Sequence, residues 1–471
     1  MGINRRTFLA STGAVAAQAA ALNAFHPGAS VAQGPSTSPN EQPVIGFIGT
    51  GIRFHTALGP QGVEFGPCAK IADVDAAQAG RAWQKMMDAH RDRGRPIDMT
   101  VHEDYQRVLD DPRIDVVIIG STDHWHTKHV IDSLDAGKDV YCEKPLTLTI
   151  AEGAQIERAI ERTGRVVQVG TQQRTEMGSR FVNAAAMMRD NRVGDVGRVT
   201  VCIGGSREAT PLPAVAPPKH LNWEKWLGQC PVVEYREAPS ITDTSGWGAG
   251  HPFSRAHHYY RWWYEYSGGK LTDWGAHHVD IAMLALDKLR SGIGHVKIEP
   301  LSVTHPVEFV DGVPALDDRF NAATAFHVRC TFADGVEMDV RDTADADLGF
   351  DNGIMFTGSE GRFLVNRGKL VGAPVEALEE KPLPDDPFQT LYGRAKPRSH
   401  MTDFFDCVKS RQTPISDVAS HNQMLNICHA VNIAMRLGRT LTYDPATQQF
   451  VGDAQANTFV SRPQRKGYET A

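Results

Sequence analysis

Residues 44–58, VIGFIGTGIRFHTAL, decide the fold. A short apolar run leads into Gly49 and Gly51, and a helix-compatible stretch follows. An apolar run without polar alternation reads as a strand buried on both faces of a parallel sheet. The two glycines let the backbone turn tightly and approach a ligand at the start of a helix. Free N–H groups and the helix dipole there favour a pyrophosphate. Phe54 stands where a third glycine would complete this dinucleotide fingerprint, so the helix is expected to sit further from the ligand. Asp73 ends the next apolar run about twenty residues on, where a carboxylate accepts from an adenosine ribose and repels a 2′-phosphate. That selects NAD. Arg53, next to Ile52 in the turn, offers a phosphate contact and leaves NADP open.

Strand and helix patterns alternate from there. CAKIADVD (68–75), IDVVIIGS (114–121), DVYCEKPL (139–146) and RVVQVGTQQ (165–173) read as strands and the loops that leave them. Residues 76–94, 126–137 and 149–164 read as helices, each closed by a glycine. This alternation predicts a doubly wound parallel sheet with helices on both faces, the Rossmann arrangement, over residues 43–170. After about residue 175 the pattern changes. Segments such as FNAATAFHVRCTFADGVEMDVRDTA alternate apolar and polar residues between turn signals. They predict an α+β second domain, residues 171–471, with a large, mostly antiparallel, open sheet and one wet face.

The chain has 471 residues, a net charge of −7 and no polybasic segment. Two domains fit that length, and a mildly acidic chain gives no footing for nucleic-acid or membrane-surface binding. Residues 1–32 read as a signal peptide. Arg5 and Arg6 precede Phe8 and Leu9, a weakly apolar, alanine-rich stretch follows, and Ser30 and Ala32 supply the small residues that a signal peptidase reads. The paired arginines look like the twin-arginine type, which implies export to the periplasm by the twin-arginine translocase in a folded state. The apolar stretch is too short to span a bilayer. Residues 33–42 read as a linker. The seven cysteines show no CxxC spacing, so a thiolate zinc site and a disulfide framework are not expected, and the thiols read as free and buried.

Three strand-end segments carry candidate chemistry. STDHWHTKH (121–129) offers Ser121, His124 and His126 to a nicotinamide pocket or to a helix cap, and a metal cluster is the weaker reading. CEKPL offers Glu143 and Lys144. A lysine beside a nicotinamide can hold a hydroxyl or carbonyl oxygen or shuttle its proton. GTQQRT offers Gln173 and Arg174 to the pocket. Further on, GGKLTDWGAHHVD (268–280) places Asp273 and His277 four apart on one helical face. The preceding HHYYRWWYEYSGG (257–269) puts Arg261, Trp263 and Tyr264 next to it, an aromatic and cationic mix suited to sugar rings and equally to a core segment.

The glycine turn, Glu143-Lys144-Pro145 and GGKLTDWGAHHVD, taken in order, resemble the glucose–fructose oxidoreductase / inositol dehydrogenase / rhizopine catabolism (Gfo/Idh/MocA) family over nearly the whole chain after the linker. The resemblance implies hydride transfer between NAD(P) and a sugar, cyclitol or sugar derivative. It implies a second-domain sheet that mediates dimers or tetramers. The family lysine maps on Lys144, and its Gly-Gly-Gly-x3-Asp-x3-His pattern maps on Asp273 and His277, with Ser267 in place of the first glycine. Asp273 is then expected to orient the imidazole or hold a neighbouring hydroxyl. Lys144 is expected to polarise the oxygen, with the base either Lys144 or His277. His278 reads as structural. Asp280 reads as a supporting partner or a helix-surface carboxylate. Export sets a condition, because free NAD is not expected outside the cytoplasm; the cofactor must stay bound and cycle. A redox-neutral glycosidase or lyase that oxidises a sugar transiently meets that condition equally well. A non-catalytic sugar-binding protein is the reading of another class.

Overall fold

The computed structural model describes residues 42–94, 98–244, 246–289 and 292–470. The expected signal peptide and nearly all of the linker lie outside these residues. No helix among the described residues is long and apolar enough to cross a membrane.

Six strands form a wholly parallel sheet: β1 (Ile45–Ile48), β2 (Cys68–Ala72), β3 (Thr100–His102), β4 (Val116–Ile119), β5 (Asp139–Glu143) and β6 (Val167–Gly170). Their order is β3-β2-β1-β4-β5-β6, with direct parallel register from Ile45 opposite Val116 to Ile48 opposite Ile119. The chain therefore builds outward from β1 in one direction, then returns to start β4 on its other side. The crevice at the carboxyl ends of β1 and β4 is the switch point where such sheets bind ligands. Every residue of β1, β4, β5 and β6 is buried, as the apolar runs predict. Local signals fix the helix ends. Asp75 caps the helix Ala76–Asp92 through the N–H groups of Ala77 and Gln78. Thr149 and Glu152 form a capping box on Ile150–Thr163, which Gly164 closes in a left-handed conformation.

Phe54 does not face the crevice. It turns into the core and meets Phe47 edge-to-face, with centroids 5.1 Å apart, from a π-helical turn over Phe54–Leu58. The close approach of this segment to the sheet comes from two later glycines. A Cβ on Gly59 would lie 2.9 Å from the Phe54 ring, and one on Gly62 would lie 2.8 Å from the Phe47 ring. The same core takes Met401, Phe404 and Phe405 from the helix His400–Ser410. The second half of the chain thus returns to complete the first sheet, and the division at residue 170 is not a clean cut.

A second sheet of nine strands runs in the order Leu370–Val371, Gly361–Val365, Gly353–Gly358, Val196–Cys202, Glu337–Arg341, Ala325–Thr331, Val296–Thr304, Leu441–Asp444, Gln449–Phe450. All neighbours are antiparallel except Val196–Cys202 with Glu337–Arg341. Ala325–Thr331 alternates buried and half-buried positions, the one-sided burial that its sequence predicts. The outer face carries a charged ladder of Arg198, Arg329, Glu337 and Asp339. The inner face packs on the helices Gly275–Ala285 and Val418–Leu437, and this core is continuous with that of the first sheet. All seven cysteines are free and buried.

Candidate active site

A cleft of about 820 Å³ opens at the carboxyl ends of β1 and β4 and continues to the helices of the second domain. Its first half is built from the glycine turn. Gly49 has φ +81°, and a Cβ on it would lie 2.4 Å from the backbone of Ser121, so only glycine lets the two strand-end loops abut. A Cβ on Gly51 would meet nothing within 4 Å, which leaves an open cradle over the turn. Asp73 ties that turn to the end of β2. Its Oδ2 accepts from Thr50 N (2.7 Å) and Thr50 Oγ1 (2.9 Å), and its Oδ1 accepts from Asp75 N (2.9 Å). Burial raises the pKa of Asp73 against these N–H and O–H donors. An open glycine cradle, a carboxylate at the end of β2 and free backbone N–H groups fit a dinucleotide: Gly49 to Arg53 against the pyrophosphate, Asp73 towards the ribose.

The other expected cofactor residues divide. Arg53 Nε donates to Glu143 Oε1 at 2.7 Å, and Gln172 Nε2 donates to the same oxygen at 3.0 Å. Arg53 and Glu143 both line the cleft, together with Ile52, Ser121 and His126. His126 holds two loops, with its ring nitrogens 2.6 Å from Pro145 O and 3.1 Å from Ser121 O. His124 is not in the cleft. It is buried against Trp226 and Tyr266, and its Nε2 donates to Trp226 O. Burial pushes its pKa down to about 3, so it is a neutral core histidine.

In the second half of the cleft, Lys144 Nζ donates to Asp273 O (2.8 Å) and Asp273 Oδ1 (2.6 Å). Two of its three protons are thus engaged, and one is left for a ligand oxygen. Burial would raise the Asp273 pKa, but Lys144, Arg261 and Lys270 outweigh it and hold the carboxyl well below the usual range. The helix GKLTD and the helix GAHHVDIAMLA meet at Trp274, and His277 N donates to Trp274 O. The expected Asp273–His277 hydrogen bond is not made, because Asp273 is committed to Lys144. The Nδ1 of His277 is buried without a partner, and the ring makes no hydrogen bond within the described residues. Burial, then Lys144 and Arg367, hold its pKa well below that of an ordinary histidine. A neutral imidazole and a pinned ammonium therefore face one cavity. That combination can hold a hydroxyl oxygen and accept its proton.

Of the expected substrate residues, Arg261, Asp273 and His277 line the cleft; Trp263, Tyr264, Gln173 and Arg174 do not. Trp263 leaves the short helix His257–Trp262 and turns into an aromatic core, with Phe320 edge-on at 5.8 Å and Arg255 over its ring at 4.4 Å. The Tyr264 hydroxyl accepts from Ala323 N at 3.2 Å, away from the cleft. Gln173 works from behind: with its amide oriented to suit its neighbours, it donates to His277 O (3.0 Å) and accepts from Arg367 Nε (3.1 Å). Arg174 forms a two-point pair with Asp280 (2.6 and 2.8 Å) and also donates to Ile415 O and Ser420 Oγ. Asp280 is therefore a buried partner of Arg174 and not a surface carboxylate. His278 is structural, between Gln173 and Asn352.

The cleft also holds residues that sequence reasoning missed: Asp123, Tyr260, Trp262, Lys270, Trp274 and Arg367. Lys270 and Trp274 lie inside the quoted motif and were legible as its neighbours. Arg367 comes from a distant hairpin with no local signal.

Both halves of this architecture match known domain models. Residues 44–171 match that of the GFO_IDH_MocA oxidoreductase family, NAD-binding Rossmann fold, and residues 376–470 match the C-terminal alpha/beta domain of the same family. The chain belongs to this oxidoreductase family. Among curated family relatives, inositol 2-dehydrogenase of Gluconacetobacter diazotrophicus is 29% identical over 155 residues, 32% of this chain and 43% of that protein. The alpha-N-acetylgalactosaminidase of Shewanella oneidensis is 34% identical over 177 residues, 34% of this chain and 38% of that protein. The chain thus spans less than half the length of these relatives. Among solved structures, the WlbA dehydrogenase from Bordetella pertussis, in complex with NADH and UDP-GlcNAcA, superposes with a TM-score of 0.54 at 16% identity, covering 85% of this chain and 98% of that one. The aldose-aldose oxidoreductase from Caulobacter crescentus gives 0.51 at 16% identity, covering 85% and 99%. These structures share the fold.

Proposed function

We propose that this protein is an NAD-dependent oxidoreductase acting on a hydroxyl of a sugar, cyclitol or sugar derivative. The observation that carries the reading is the Lys144–Asp273 pair facing neutral His277 in the cleft that begins at the glycine turn. Bound there, the nicotinamide would take up or return a hydride. Lys144 holds the substrate oxygen with its remaining proton and stabilises negative charge as it builds there. His277 accepts the hydroxyl proton. Asp273 fixes the ammonium in place through both its carboxylate and its main-chain oxygen. Trp262 and Trp274 wall the cleft, with Lys270 and Arg367 packed against their rings. The carboxylate of Asp73 favours NAD over NADP.

A second reading rests on the match to the Shewanella oneidensis glycosidase. The same residues would then serve a transient oxidation that acidifies the neighbouring C–H, expels the glycosidic group and ends with no net redox change. The two readings separate in one experiment. Purified protein with NAD is given free polyols and aryl glycosides. NADH accumulating from polyols supports the dehydrogenase; release of the aryl group without an acceptor supports the redox-neutral route. Export by the twin-arginine route, carried by Arg5 and Arg6, completes the proposal. A fusion of residues 1–42 to a reporter tests it, with periplasmic signal lost when both arginines become lysine. Assembly through the open second sheet is tested by light scattering.

A further inference from the structure

At the Lys144 end of the cleft, Lys144, Arg261, Lys270 and Arg367 face two carboxylates, Asp123 and Asp273. Arg53 closes on Glu143, and Lys144 closes on Asp273. Asp123 accepts from Tyr260 OH (2.7 Å) and Ser267 Oγ (2.5 Å) and is raised in pKa by burial against these donors and His126. Three cations remain. Arg261, Lys270 and Arg367 all line the cleft, and none lies within 4 Å of a carboxylate among the described residues. Lys270 Nζ donates no hydrogen bond to the described protein and stands 5.5 Å from the Trp262 ring and 5.9 Å from the Trp274 ring. Arg261 lies 5.8 Å from the Tyr260 ring, and Arg367 lies 4.5 Å from the Trp274 ring. Elsewhere the fold pairs its buried cations, as in Arg174 with Asp280 and Arg411 with Asp139.

Partly buried cations that share too few counter-charges are costly unless a ligand supplies an anion, and here Asp273 acts on all three, with Asp123 on Arg261 and Glu143 on Arg367. The crowding is felt at Lys270: burial lowers its pKa, and Arg261, Lys144 and Arg207 add to that against the single opposing charge of Asp273. Arg367 is held off the wall by Gln173, which leaves the rest of its planar fork free for a two-point contact.

We infer that the substrate of this cleft is an anionic sugar, a monosaccharide unit carrying a carboxylate or a phosphate that Arg261, Lys270 and Arg367 hold while its hydroxyl lies against Lys144 and His277. This deepens the proposed function and rests on it for the identity of the ring. The anion neutralises the excess positive charge, and it brings the sugar in with a fixed orientation.

Binding to the full chain with NAD present is measured by calorimetry in matched sets: glucose against glucuronate, gluconate and glucose 6-phosphate, and galactose against galacturonate. At least one anion is expected to bind ten-fold or more tighter than its neutral parent, with an affinity that falls as salt rises. Tighter glucuronate or gluconate assigns a carboxylate; tighter glucose 6-phosphate assigns a phosphate. Arg261→Met and Lys270→Met are expected to bring the anion down to its neutral parent. Equal binding within each set, no binding by any anion, or an anion preference unchanged in both variants overturns the inference. The salt series on the unaltered protein keeps the test valid if a variant fails to fold. NADH formation, read in parallel, separates the two proposals: a tightly bound anion that is never oxidised contradicts the proposed dehydrogenase and leaves the anion site standing.

Discussion

Two ion pairs on one stretch of chain have opposite characters. Asp280 pairs with Arg174, and Asp273, two helical turns earlier, pairs with Lys144. In the first, both side chains are sealed from solvent, and Arg174 gives four of its five N–H protons to two carboxylate oxygens, a carbonyl and a hydroxyl. In the second, the lysine keeps a proton free and faces a cavity. The ionic chemistry is alike. Each cation keeps one proton unused among the described residues; what separates structure from function is that the cleft lies next to Lys144 and does not reach Arg174.

The largest effect expected from breaking this comparison is on turnover. Lys144→Met or Asp273→Asn should lower kcat by about 10²–10³-fold, the range for losing a positioned donor to a developing negative charge, while Tm stays close to that of the parent. Steady-state NADH formation and a thermal melt on the same samples check it. At the other pair, Asp280→Asn or Arg174→Met should remove about 3–5 kcal/mol of stability, because the partner charge is left buried. Urea titration checks this, and activity per folded molecule should be nearly unchanged. If Asp280→Asn matched Asp273→Asn in lost kcat at full stability, the distinction between the pairs would collapse.

A smaller effect comes from pH. Burial and the cations Lys144 and Arg367 hold His277 far below about 6.5, so the free enzyme already has its base form there. The kcat/KM profile should show no inflection near pH ~6.5, and the acid limb should lie lower. An inflection at the ordinary histidine value would contradict the lowered pKa of His277. The smallest expected effect is on global stability. His278, His400 and His429 titrate at about 4 in the folded protein. Below about 6.5 the unfolded chain takes up protons that these rings refuse, so stability falls as pH drops towards 4. The raised carboxyls Asp73, Asp123 and Asp403 oppose this in part. Melts between pH 7 and 5 should show a decline in Tm, and a rise would contradict it.

Five strands of the first sheet were legible because they carry their burial in their own residues, and because Gly49 and Asp73 have local geometric duties; the edge strand β3, with Thr100 and Val101 exposed, was not. Lys144, Asp273 and His277 were legible as a pattern, although the partner of Asp273 was not: a hydrogen bond across 129 residues leaves no trace in spacing. The errors share a cause. Trp263, Tyr264, Gln173 and Arg174 lie next to cleft residues in the chain, and sequence adjacency does not say which side chain turns inward. Trp262 and Trp263 take opposite directions at the end of one short helix. Arg367 was invisible because its hairpin meets the cleft only through the second sheet. Phe54 misled because the space that a third glycine usually gives is supplied here by Gly59 and Gly62.

The most direct test of the account follows a hydride. Sugars deuterated at every ring carbon, neutral and anionic, are incubated with the protein and NAD, and the nicotinamide is extracted and weighed by mass spectrometry. The account predicts deuterium on the nicotinamide with the unaltered protein and with Asp280→Asn, and none with Lys144→Met. This holds for the dehydrogenase; in the redox-neutral route the deuteride returns to the sugar and the released NAD is unlabelled. Unlabelled nicotinamide from the unaltered protein across the whole panel, or label that persists undiminished in Lys144→Met, would contradict it.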